Sequence, residues 1–260
     1  MKNIHYNLVQ NKHIKPKNKK ELGHFFAGLI DADGHIAVDG YSITVNSHSR
    51  DLCILCYIKT IIGGTIYKYK KVNAYRYTAT KKQGLILLSN LIFSKLRLSD
   101  KVNQFNNRLV PRIDLNFCEK PSVTNMKNNY WFAGFVQGDG SFQIMIRKRR
   151  KPGWSNQIEV ILSIELKHKS LLEEIQATFG GHVGYRKARN TFYYSSVNLK
   201  NASNLVTYFD KYQVMGPSYR LYLCWKRALS IVLAKEHLTS AGLEEIKSLK
   251  AYMAQLRKTV

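Results

Sequence analysis

The chain has 260 residues, room for one large domain or two of ordinary size, and 45% of them are hydrophobic, enough for real cores. Lys and Arg number 41 against 17 Asp and Glu, a net charge of +24; so much like charge repels itself unless a polyanion offsets it, which argues against a plain solvated surface. The longest apolar run, 221–234, is broken by Lys226 and Arg227, so nothing reads as a membrane span. The basic residues are spread over strands and loops, which disfavours a membrane surface, and residues 1–21, a Lys- and Asn-rich extension without an apolar stretch, do not read as a secretory signal.

The elements fall into two matching series. Phe26-Ala27-Gly28-Leu29-Ile30-Asp31-Ala32-Asp33-Gly34 recurs as Phe132-Ala133-Gly134-Phe135-Val136-Gln137-Gly138-Asp139-Gly140. In the first series the motif helix is expected over 22–33, then strands 35–39 and 41–48, an apolar helix 51–62 stopped by Gly63-Gly64, strands 65–71 and 74–80, and a helix 84–93. The second repeats the order: helix 128–139, strands 141–150 and 156–166, helix 169–179, Gly180-Gly181, strands 182–189 and 191–197, helix 199–210. Pro111 and Pro121 mark residues 111–126 as a linker, dividing the chain into repeats 22–110 and 127–260. Two more helices are expected at the end, 219–234 and one opened by Ser240. The fold class is therefore α+β, two pseudo-symmetric αββαββα units, each with a four-stranded antiparallel sheet.

Each motif copy puts an acid at the negative end of a helix, where it is repelled unless a cation joins it. Ala27, Gly28 and Ala32 leave room for two helices to pack closely, and Gly34 and Gly140 suit a left-handed helix stop. Asp33 and Asp139 are then expected side by side, binding a divalent cation, Mg²⁺ first, with Mn²⁺ or Ca²⁺ as substitutes, and the Ala32 and Gly138 carbonyls completing the shell. Asp31 lies two residues from Asp33, off that face. Cys53 and Cys56 form a lone CxxC to which Cys118 and Cys224 add no zinc spacing, so all four cysteines read as buried structural thiols.

The first copy differs from the motif LAGLIDADG only at Phe26, and the second is a looser version. The chain resembles the monomeric, two-repeat LAGLIDADG homing endonucleases over nearly its whole length, including the segment Lys235-Glu236-His237-Leu238-Thr239 near the end. The resemblance implies motif helices at the interface, sheets forming a saddle on double-stranded DNA, and metal-dependent cutting of both strands across the minor groove, leaving short 3′ overhangs. It implies Asp33 and Asp139 as metal ligands and catalytic residues. It also implies a late basic residue in each repeat: Lys101, within Leu98-Ser99-Asp100-Lys101, fits the first, whereas the matching position in the second is Ser218, with Lys211 or Arg220 as substitutes. Gln137 stands where the motif has its first acid, with little expected consequence for metal.

Strand alternation then selects the side chains facing DNA. These are Ser42, Thr44, Asn46, His48, Lys68, Lys70, Arg76 and Thr78 in the first repeat, with His35 a DNA-facing residue rather than a ligand. In the second they are Ser141, Gln143, Met145, Arg147 and Arg149, then Arg186 and Tyr193; Phe142, Ile144 and Ile146 should face the helices. The basic turn 148–153 is expected to reach the phosphate backbone. Two rival readings are an intron maturase with host intron RNA as partner, alone or alongside cutting, and a DNA-binding regulator; retained acids in both motifs favour cutting. Abundant Lys, Asn, Ile and Tyr suggest an A/T-rich organellar genome, the mitochondrion ahead of the chloroplast.

Overall fold

The structure, a computed structural model, describes residues 13–113, 124–147 and 156–258. The first half runs α1 (Lys19–Asp33), β1 (Gly34–Ile36), β2 (Ile43–His48), α2 (Leu52–Ile62), β3 (Thr65–Lys68), β4 (Ala74–Ala79) and α3 (Lys82–Ile92). A bent helical segment follows: α4 (Ser99–Gln104), one π-helical turn over Phe105–Leu109, and α5 (Val110–Ile113). The second half runs α6 (Trp131–Asp139), β5 (Gly140–Arg147), β6 (Gln157–Leu166), α7 (Lys169–Phe179), β7 (His182–Arg186), β8 (Thr191–Ser195) and α8 (Leu199–Lys211), then α9 (Gly216–Leu233) and α10 (Ser240–Lys258). Both sheets are antiparallel with one topology, β1-β2-β4-β3 and β5-β6-β8-β7. The expected αββαββα order therefore forms twice.

α1 and α6 pack against each other at the centre. α1 is buried from Leu22 through Asp31, so it is apolar nearly all round rather than on one stripe, as a central helix must be. The small motif residues let the backbones touch. A Cβ added to Gly28 would stand 1.9 Å from the Trp131 carbonyl oxygen, and one added to Gly134 would stand 2.0 Å from that of Phe25. Gly34 and Gly140 do not adopt the expected left-handed conformation. Their φ values are −82° and −83°, and each helix runs directly into an extended strand. Glycine is needed there for space, since a Cβ would lie 2.6 Å from the Ile30 Cα or 2.4 Å from the Val136 Cγ1. Positive φ occurs instead at Gly63-Gly64 and Gly180-Gly181, which stop α2 and α7.

Several boundaries move for local reasons. β1 ends at Ile36 because its N–H bonds Gln104 Oε1 at 3.2 Å and the chain then turns, with Ala37 N–H on the Ser42 carbonyl. β7 ends at Arg186, where Lys187–Arg189 coil into a single 3-10 turn. α6 starts at Trp131, not 128, because Asn129 Oδ1 takes the Trp131 N–H at 2.9 Å. α9 begins early, at Gly216, with Pro217 in its first turn, where a missing N–H costs nothing. Residues 111–113 of the expected linker are helical, and 114–123 lie outside the described residues. Cys224 is buried, but Cys53 and Cys56 are exposed, contrary to expectation: the buried stripe of α2 is Ile54, Leu55, Ile58 and Ile62. Cys118 lies outside the described residues.

Aromatic packing fixes α6 in place. Phe132 stacks on Phe179 at 4.6 Å, and the Tyr208 hydroxyl donates to the Asn129 carbonyl at 2.8 Å while accepting the Ala133 N–H at 3.0 Å. These contacts anchor the first turn of α6, and the helix then runs directly into β5 at Gly140.

Candidate active site

Asp33 and Asp139 end α1 and α6, and each is followed at once by the first strand of its sheet. A Cβ on Gly138 would lie 2.6 Å from Asp33 Oδ2 and 2.6 Å from the Ala32 Cβ, so the Asp33 carboxylate sits against the other helix's last turn. Burial, and then the charge of Asp51, raise Asp33 to about 6; burial, and then Asp33, raise Asp139 to about 7. Lys101 opposes both shifts without cancelling either. Two acids held this far above the carboxylate range are short of positive charge.

The donors fit a hard divalent cation: two carboxylates plus the carbonyls of the last helical turns, Ala32 and Gly138 among them, which have no intrahelical partner. Among the described residues no cluster of three or more His, Cys, Asp or Glu could hold a metal. The remaining ligands would be backbone, water or phosphate oxygens, the usual manner for Mg²⁺.

Asp31 turns away, as its spacing requires. It accepts from Arg97 N–H at 2.9 Å, Leu98 N–H at 3.3 Å and Trp131 Nε1–H at 2.8 Å, and burial still holds it up at about 7. Gln137 fills the same role in the second half: its Oε1 takes the Met215 N–H at 2.7 Å. Having brace positions in common, Leu98–Lys101 and Met215–Ser218 correspond.

Lys101, on α4, is half-buried; its Nζ donates to the Gly34 carbonyl and its charge bears on Asp139 and Asp33. Ser218 is 8% exposed and accepts from Gln137 Nε2 at 3.1 Å. Neither suggested substitute reaches the seam. Lys211 lies over the Tyr212 ring, and Tyr212 packs on Tyr130, at the start of α6 rather than at its acidic end. Arg220 is exposed and two residues past buried Ser218 on α9, about 200° around the helix.

The strand register places most of the expected DNA-facing residues on the two faces away from the helices. His35, Thr44, Thr78 and Thr65 form one cross-strand row; Asn46, Arg76 and Tyr67 form the next. Asn46 Oδ1 accepts from Arg76 Nε at 3.2 Å and from the Tyr69 hydroxyl at 2.9 Å, and Arg76 lies over the Tyr69 ring. Ser42 precedes β2, and His48 ends it, its Nδ1 accepting the Arg50 N–H at 3.3 Å. In the second sheet Ser141, Gln143, Met145 and Arg147 oppose Ser163, Ile161, Glu159 and Gln157, while Phe142 and Ile144 are buried and Ile146 packs against the core. Arg186 pairs with Thr191 and lies over the Tyr193 ring at 5.0 Å.

One part of the alternation is corrected. Lys68 pairs with Tyr75, on the helix-side parity, and Lys70 has the same parity; it is Tyr67 and Tyr69 that share the face of Arg76. Lys68 is exposed on the edge strand β3 and borders the surface pocket formed by Tyr67, Tyr69, Arg76 and Thr78. Arg149 and the basic turn lie outside the described residues.

The sequence reading missed Arg50 and Asp51. They share a cleft of about 330 Å³ with Asp33, Gly138, Gln137, His48 and Asn46. Asp51 stood out only as a helix start; nothing local says that this start abuts the other repeat.

Paired helices carrying acids into the base of twin antiparallel sheets define a class, and comparison with known proteins identifies it. A LAGLIDADG endonuclease family model matches residues 132–229. A cox1 intron-2 37.2 kDa protein of Schizosaccharomyces pombe is 36% identical over 249 residues, 93% of this chain and 75% of that protein. The intron-encoded RNA maturase bI4 of Saccharomyces cerevisiae is 27% identical over 210 residues, 80% of this chain but only 31% of the maturase. Among solved structures, I-SmaMI bound to uncleaved DNA target in the presence of calcium ions superposes with a TM-score of 0.69 at 21% identity, over 89% of this chain and 98% of that one. The chain belongs to the LAGLIDADG endonuclease family, and its fold is that of the two-repeat homing endonucleases.

Proposed function

We propose that the protein is a sequence-specific homing endonuclease that makes a metal-dependent double-strand break in a long DNA target, leaving short 3′ overhangs and promoting mobility of its host intron. The observation that carries this reading is the Asp33 carboxylate seated against the last turn of α6, with Asp139 close enough for each half's acid to be raised by burial and by a neighbouring carboxylate, an arrangement that a divalent cation would relieve. Asp33 and Asp139 would hold the cation, helped by the Ala32 and Gly138 carbonyls, and a bound Mg²⁺ supplies stabilisation of the attacking and leaving oxygens. Water adds to phosphorus and gives up a proton to solvent, the P–O3′ bond breaks, and the departing 3′ oxygen takes a proton from solvent. Lys101 offsets charge building on the scissile phosphate from the Asp139 side.

The outward rows of the sheets read and grip the duplex. Arg76, Arg147, Arg186, Gln143 and Asn46 have the chemistry to meet base edges, and the excess of cations provides a salt-sensitive hold on phosphates. The relative from a cox1 intron supports an organellar setting, the mitochondrion first. The yeast maturase relative supports a second reading, in which the same scaffold also assists splicing of the host intron RNA.

Incubating a randomised DNA library with Mg²⁺ tests the reading and recovers the target. Cut ends with 3′ overhangs are expected, lost in Asp33→Asn and Asp139→Asn while binding persists. Full cutting by either variant refutes the ligand assignment.

A further inference from the structure

The two halves of the seam carry unequal chemistry. Asp51 is the N-cap of α2 and His168 the N-cap of α7, so they occupy matching places, as Lys101 and Ser218 do. Near Asp139 stands Lys101, with its neighbour Asp100 3.0 Å from His168 Nε2. Near Asp33 stand Ser218, which carries no charge, and Asp51, which adds a negative one. Gln137 Nε2 ties these two together, at 3.1 Å from Ser218 Oγ and 3.4 Å from Asp51 Oδ1. A lysine in one half is thus matched by a hydroxyl plus an extra carboxylate in the other.

A cation is nevertheless present there. Arg50 Nε lies 3.1 Å from Asp51 Oδ2, and among the described residues Arg50 is the only Lys or Arg lining the cleft that contains Asp33 and Gly138. Asp51 is 5% exposed, so its carboxylate is a fixed anchor, whereas the Arg50 side chain keeps 29% of its surface open to the cleft. The planar fork can hold Asp51 on one edge and a phosphate on another.

We propose that Arg50, positioned by Asp51 and Gln137, is the cationic catalytic residue of the Asp33 half, taking the place of a lysine at Ser218, and that the strand cut there is cut more slowly than its partner. The rate difference follows from pairing: the Lys101 ammonium donates to a neutral carbonyl, that of Gly34, whereas the Arg50 guanidinium is ion-paired with Asp51, which cancels part of its charge. This inference rests on the nuclease reading above.

Strand-resolved cleavage of a target labelled separately on each strand tests it. The wild-type chain should cut one strand faster. Arg50→Ala should slow the already slower strand by about 10²-fold and leave the other nearly unchanged. Arg50→Lys should recover part of the loss, and Lys101→Ala should slow mainly the faster strand. A second measurement needs neither metal nor turnover. In EDTA, a neutral methylphosphonate at the scissile position of the slower strand should weaken wild-type binding but add nothing to the weaker binding of Arg50→Ala. Equal strand rates in the wild type, equal slowing of both strands by Arg50→Ala, or a methylphosphonate effect that survives Arg50→Ala would each overturn the inference alone. A wild-type chain that cuts neither strand overturns the nuclease reading and this inference with it.

Discussion

Gly28 and Trp131 meet backbone to backbone, with only 1.9 Å between a Cβ built on Gly28 and the Trp131 carbonyl oxygen. Gly134 and Phe25 repeat the contact at 2.0 Å across the pseudo-twofold. No rotamer relieves a clash with backbone, so Gly28→Ala must push the helices apart. A loss of about 3 kcal/mol is expected, at the upper end for overpacking, with both strand-cutting activities falling together because Asp33 and Asp139 are displaced as a pair. Urea unfolding with strand-resolved cleavage checks this. An Ala variant of wild-type stability would mean that the close approach is not what fixes the seam.

Asp33 provides a test of cation binding that needs no DNA. Its folded pKa of about 6 is above the 3.8 of a free aspartate, so its favourable contribution is fully present below about 3.8 and is lost as pH rises through about 6. At pH 8 without metal the buried charge is a cost on the order of 1–3 kcal/mol, and Asp33→Asn removes it. The Asn variant should therefore melt higher than wild type in EDTA at pH 8. Millimolar Mg²⁺ should raise the wild-type melting temperature and narrow or reverse that gap, since a ligand bound only to the folded state stabilises it. Identical melting responses to Mg²⁺ in the two proteins would remove Asp33 from the ligand set.

The repeat, the order of elements and the meeting of Asp33 with Asp139 were legible because local patterns encode them: the twin motifs, the Gly-Gly stops and the alternation in β2 and β5. What tertiary contact decides was not. Gly34 and Gly140 looked like left-handed stops, yet each is small so that a strand can leave directly over the preceding turn. Alternation alone puts Lys68 on the outward face with Arg76, but the phase of an edge strand is set by its pairing: the register matches Tyr67 with Arg76 and puts Lys68 opposite Tyr75. Asp51 abuts Gln137, which lies in the other repeat, and no periodicity within either repeat foretells that. Gln137 itself was legible as a departure, but its work, bracing Met215 and Ser218, shows only in three dimensions.

His24 supplies a pH dependence away from the acids. It is 4% exposed on α1, and burial, followed by Lys95, Arg97 and Lys20, lowers it to about 4. The folded chain keeps it neutral while the unfolded chain protonates it near 6.5, so its contribution is lost as pH falls from about 6.5 to about 4. The full span is worth ~3 kcal/mol. Asp31, Asp33 and Asp139, all raised, act in the opposite direction over an overlapping range, so the wild-type profile alone would hide the effect. The difference between wild type and His24→Gln isolates it: relative to the variant, wild type should lose stability steadily below pH 6.5. A constant difference from pH 7 to pH 4.5 would show that His24 is not held neutral.

Glu165 sits among the cations of the second sheet's outward face. It accepts from the Thr191 hydroxyl at 2.7 Å and lies 3.5 Å from both Arg186 and Arg189. The Thr191 bond, and then these arginines, hold its carboxyl below the usual range, so it is ionised at neutral pH and, on the DNA-binding role proposed above, would compete with phosphate for both guanidiniums. Exposed ion pairs are weakly held, so releasing them costs the fold little. Glu165→Gln keeps the Thr191 bond and removes the competing charge. Binding should tighten at low salt, and the slope of log affinity against log salt should steepen by about one as a further phosphate contact forms. The gain should fall mostly on non-target DNA, because phosphate carries no sequence information. A filter-binding titration against target and scrambled duplexes measures both. Weaker binding with a flatter slope would mean instead that Glu165 aligns Arg186 for contact and that its charge is part of the grip.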